Sequence, residues 1–95
     1  MRREKVKMHS AIQEFRHILL TKWDPVGVNG VAEAEDEYDD YIPRLLSAVR
    51  ANVDASDVSR MLLEIETQDM GLAPAPERAE AAAQALIKLA RKTRW

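Results

Sequence analysis

The chain predicts an all-α fold: a compact bundle of four helices with a long loop, containing Trp23-Asp24-Pro25, between helices 1 and 2. Three observations carry this. Apolar residues recur at intervals of three and four in four separate segments, the spacing that lines one face of a helix. Each segment is bounded by residues that start or stop helices. No segment alternates apolar and polar residues as a half-buried strand does. Ninety-five residues, 46% of them hydrophobic, suit a single domain spanning 1-95 with one core.

Helix 1 is expected from about Arg2 to Lys22. Met8, Ile12, Phe15 and Leu19 form its stripe, widened by Ala11 and Ile18, with Lys7, Gln13, Glu14 and His17 on the opposite face. Pro25 pushes Asp24 out of the helical region, and Gly27, Asn29 and Gly30 tolerate positive φ, so a loop of about a dozen residues follows. Helix 2 is expected from near Glu35 to Ala51, with Tyr38, Tyr41, Ile42, Leu45, Leu46 and Val49 on one face. Its acids would crowd the first turn and complement the helix dipole. Pro43 then falls inside it and predicts a kink or break at 39–43. Asp54 and Asp57 are N-cap candidates for helix 3, whose stripe is Val58, Met61, Leu62 and Ile65 and whose stop is Gly71. Ala73-Pro74-Ala75-Pro76 is a stiff connector that places Pro76 at the start of an alanine-rich helix 4 with a basic end.

Composition removes several function classes. Without cysteine there are no disulfides, thiolate metal sites or cysteine nucleophiles. The basic start is not followed by an apolar segment of the secretory kind, and no apolar run approaches the ~20 residues a membrane needs, so the expected location is cytoplasmic and no membrane partner is expected. The net charge of −2 hides an asymmetry. Residues 1–22 carry six bases and two acids, residues 23–42 seven acids and no base, and residues 73–95 five bases and two acids. An acidic centre between basic ends lacks the continuous positive face that nucleic acid requires.

The order Trp23-Asp24-Pro25-Val26-Gly27-Val28, then Asp36-Glu37-Tyr38-Asp39 with Tyr41, then Ile65-Glu66 and Met70-Gly71-Leu72 resembles the YugE-like family of small bacterial helical proteins. That pattern is a helix, a WDPxGV loop, an acidic DEYDxY helix start and a helix closing on MGL. The likeness is anchored between about residues 15 and 72; the last helix is generic. It implies a cytoplasmic all-α fold and supplies no catalytic residue. Similarity to immunity proteins of bacterial toxin systems is looser and rests on analogy.

Two features compete for a functional role. Trp23 and Asp24 serve either to close the end of the bundle and fix the turn, or as a docking surface. The block Glu33, Glu35, Asp36, Glu37, Asp39 and Asp40 is either a solvated face with favourable dipole placement or a surface for a cationic partner such as a nuclease toxin. The expected function is therefore that of a non-enzymatic interaction protein, with those six acids and Trp23 facing a basic protein partner. An immunity protein is the specific case; no cofactor or metal is required. The enzyme alternative pairs Glu37 with Asp40 and Glu66 with Asp69 on two helices to hold Mg²⁺, similar to all-α nucleotide pyrophosphohydrolases. A structural or regulatory homodimer is the third. His9 and His17 lack metal-pair spacing, and Ser10, Ser47, Ser56 and Ser59 lack a histidine–acid setting.

Overall fold

The computed structural model describes the backbone of residues 2–93 and the side chains of residues 10–92. Lys7, Met8 and His9 lie outside the described side chains. Four α-helices form: α1 (Arg2–Ile18), α2 (Ile42–Arg50), α3 (Ala55–Glu64) and α4 (Pro76–Thr93). No strand occurs among the described residues. The radius of gyration of 12.9 Å is close to the ~12.4 Å expected of a folded chain of this length.

The caps explain the boundaries. Asp54 caps α3, its side chain accepting the Asp57 N–H. Pro76 opens α4, where its missing N–H costs nothing. α2 closes on Asn52 in the left-handed region (φ 62°), with N–H bonds from Asn52 to the Val49 carbonyl and from Val53 to the Ala48 carbonyl. That is the Schellman arrangement, with asparagine in the place glycine usually takes.

α1 and α3 each end in a π-helical turn, Leu19–Trp23 and Ile65–Asp69. In both, an N–H reaches back five residues: Asp24 to the Leu19 carbonyl at 2.8 Å, Met70 to the Ile65 carbonyl at 3.0 Å. Such turns are rare. Here they carry Trp23 and Glu66, and Gly71 (φ 67°) follows the second as the expected helix stop.

Helix 2 departs from its expected start. α2 begins at Ile42, not near Glu35, and has no acid in its first turn. Pro43 is the reason: near the start of a helix it is favourable, whereas inside one it removes a donor and clashes. Residues 24–41 are instead an ordered non-α segment with two short 3₁₀ turns, Ala32–Ala34 and Asp39–Tyr41. Tyr38 lies outside any α-helix and is still buried.

The core joins Phe15, Leu19 and Trp23 to Ile42, Leu45 and Val49 of α2, Val58, Leu62 and Ile65 of the third helical segment, and Leu86 of α4. Ala79, Ala82 and Ala83 are fully buried on α4. Small side chains there let α4 lie close along α3, its most extensive neighbour.

Candidate functional site

Trp23 and Asp24, adjacent in sequence, reach in two directions. The Trp23 ring is 0% exposed, and its indole Nε1–H donates to Glu66 Oε1 at 2.7 Å. Glu66, also 0% exposed, accepts the Ala75 N–H on its other oxygen at 2.9 Å. One carboxylate thus ties the end of α1 to the end of α3 and to the entry of α4. A carboxylate buried without partners would be strongly destabilising; here both oxygens have a donor.

Asp24 turns the other way. It sits in the left-handed region (φ 36°), which aspartate tolerates better than most residues. Its carboxylate accepts the N–H of Val28 at 2.8 Å, the N–H of Asn29 at 3.1 Å and the Tyr38 hydroxyl at 2.7 Å. The Tyr38 oxygen in turn accepts the Val26 N–H at 3.0 Å. Partial burial pushes the Asp24 carboxyl up. The Tyr38 hydroxyl and the N–H groups of Val28, Asn29 and Gly27 outweigh it and hold the carboxyl below its ordinary range. Burial, and then the bond to Asp24, push the Tyr38 phenol well above its usual value. The Tyr38 ring packs on Trp23 with centroids 5.2 Å apart, and Tyr41 meets Trp23 edge-on at 6.3 Å.

The acidic segment hangs between these fixtures. Its upstream end is held where Asp24 grips Val28 and Asn29, its downstream end by Tyr38 and by a two-pronged ion pair between Arg16 and Asp39. Gly27 (φ 75°) and Gly30 (φ 92°) take the expected positive φ. Between the anchors Glu33, Glu35, Asp36 and Glu37 are exposed, and so is Asp40 just beyond. None of these five is in a salt bridge among the described residues. Beside them a groove of about 420 Å³ runs between α1 and the loop, lined by Arg16, Leu20, Val28, Val31 and Glu35 among others. Val31 is 48% exposed.

Against the expected partner-binding residues, the structure divides the set. Glu33, Glu35, Asp36, Glu37 and Asp40 share one exposed segment. Asp39 is engaged by Arg16. Trp23 presents no surface, so the docking role considered for it gives way to the structural one.

The carboxylates of the enzyme alternative do not assemble. Glu66 is committed inside the core, Asp69 lies on the surface paired with Arg44 at 3.7 Å, and Glu37 and Asp40 belong to the loop rather than a helix face. No group of three or more metal-type ligands occurs among the described residues. Nor is any helix among the described residues long and apolar enough to cross a membrane.

Glu66 as a core residue was missed, although a signal existed: it follows Leu62 by four and adjoins Ile65, so it stands in the buried register. Compared with protein-family models, curated proteins and solved structures, the chain matches none.

Proposed function

We propose that this domain is a cytoplasmic binding module that presents the acidic segment 33–40 to a basic protein partner. One observation carries the reading: five carboxylates stand exposed, none in a salt bridge among the described residues, on a segment anchored at both ends. Helix-dipole placement does not account for Glu33, Glu35, Asp36 and Glu37, because α2 starts five or more residues later and has no acid in its first turn. The self-repulsion of clustered acids is offset when opposed potentials steer a cationic partner into place. Pre-anchoring also lowers the ordering cost of binding.

The looser analogy to toxin-immunity proteins suggests the specific case, an inhibitor covering the phosphate-binding site of a nuclease toxin. Its test is co-purification from host lysate, and with any toxin encoded beside it, using wild type and a variant reversing Glu33, Asp36, Glu37 and Asp40 to lysine. Asp39 stays untouched because Arg16 needs it. Loss of one specific partner by the variant, with an unchanged helical spectrum, is expected. Equal recovery of the same partner by both proteins would overturn the proposal.

A further inference from the structure

Where α2, α3 and α4 meet lies a basic groove that the acidic-loop reading does not use. It measures about 320 Å³ and is formed where α2 ends, α3 begins and α4 passes, on a floor that includes Val49, Val53 and Ile87. Arg50 and Arg91 line it, and Lys88 joins Arg91 along the adjoining surface. Neither arginine is in a salt bridge among the described residues. The one acid lining it among the described residues, Asp54, accepts the Asp57 N–H and the Ser56 hydroxyl on its Oδ1 at the start of α3.

The two charged surfaces are lined by different residues and do not overlap. α4 starts beside the Trp23–Glu66 contact, where Ala75 donates to Glu66, and Ile87–Arg91 come eleven to fifteen residues after Pro76, about 16–23 Å along the axis. α2 separates them in the same sense, following the acidic segment at its start and entering the groove with Val49 and Arg50 at its end.

We infer that the basic groove accepts the acidic loop of a second copy of this chain, joining copies head to tail. This rests on the reading of the acidic segment as a docking surface, and charge complementarity between two surfaces of one molecule selects the occupant. The contact is heterologous, since the surfaces that meet differ, so it propagates into short chains or closes into a ring. A contact held by a few exposed charges is weak and reversible, and a basic partner that binds the loop displaces the neighbouring copy.

Sedimentation velocity on the full chain tests this across a concentration series. At about 20 mM salt the sedimentation coefficient should rise with concentration, and at about 0.5 M salt it should fall back to the monomer value, because screening then acts within a few ångströms. Asp36→Asn with Glu37→Gln should abolish the rise, as should Arg50→Gln with Arg91→Gln. Mixed in equal amounts, the two variants keep one intact loop and one intact groove, so they should form a dimer that grows no further. A monomer at every concentration in low salt, or association that survives either pair of substitutions, overturns the inference. Those outcomes leave capture of a basic partner intact; loop variants that alter neither association nor capture would remove both readings.

Discussion

The loop between α1 and α2 is two regions with opposite physics. Around Asp24 and Tyr38 the carboxylate, the phenol and the N–H groups of Val26, Gly27, Val28 and Asn29 are paired, and the Trp23 and Tyr38 rings are buried. A few residues on, from Glu33 to Glu37, the carboxylates face water and contribute nothing visible to the fold. The first region anchors the second at both ends. A distinctive sequence motif and an exposed charged surface need not coincide: Trp23-Asp24-Pro25 is the mount.

Substitutions that probe this contrast fall in a clear order. Trp23→Ala should cost the most, about 3–5 kcal/mol, since it opens a cavity and strips Glu66 of a donor. In a domain whose whole stability is of order 5–15 kcal/mol, denaturant titration would show a large loss or no folded state. Trp23→Phe removes the N–H together with part of the bicycle while keeping an aromatic ring in place, and should cost about 1–3 kcal/mol. If that variant is as stable as wild type, the Trp23–Glu66 bond is not holding the helix ends together.

Asp24→Asn should cost about 1–3 kcal/mol and should also change the response to pH. Folding holds the Asp24 carboxyl below its unfolded value, so its contribution is present above the ordinary carboxyl range near 4 and is lost as pH falls through the folded value. Acid titration of stability should be flatter in the variant. Tyr38 works at the other limit. Its raised phenol contributes fully below about pH 10 and loses that contribution as pH climbs further, a fall that Tyr38→Phe should remove.

Gly30→Val should cost about 1–2 kcal/mol by thermal denaturation, the penalty of a left-handed backbone alone, because an added Cβ meets no atom within 4 Å. Smallest of all, Glu33→Gln, Asp36→Asn and Glu37→Gln should each move stability by less than about 0.5 kcal/mol. A large loss at any of the three would erase the contrast between mount and surface.

Much of this was legible beforehand, for reasons that particular residues make plain. Periodicity located the helices, and Asp54, Gly71 and Pro76 acted as start and stop signals where expected. The start of α2 was misplaced because Tyr38 and Tyr41, three apart, imitate a helical stripe, and the acids before them imitate dipole-complementing residues. Pro43 held the correct reading, since its best position is a first turn rather than an interior. Exposure of the acids followed from composition. The Asp24–Tyr38 and Trp23–Glu66 contacts span 14 and 43 residues, and pairings at such separations depend on how helices pack, which local spacing does not encode.

The two π turns have a consequence for how this chain tolerates changes in length. Thr21 and Lys22 are exposed, and by ordinary reasoning a surface helix end there accepts the loss of a residue. Within this turn it would not. The turn closes a five-residue bond from Asp24 to Leu19, so deleting Thr21 leaves only the four-residue span of an α turn and re-aims the indole relative to Glu66 and Tyr38. The same holds for Thr67 and Gln68 in the second turn, whose loss would shift the backbone that follows Glu66 and carry Ala75 out of reach of its carboxylate. Residue count, more than residue identity, is what these two surface stretches cannot vary.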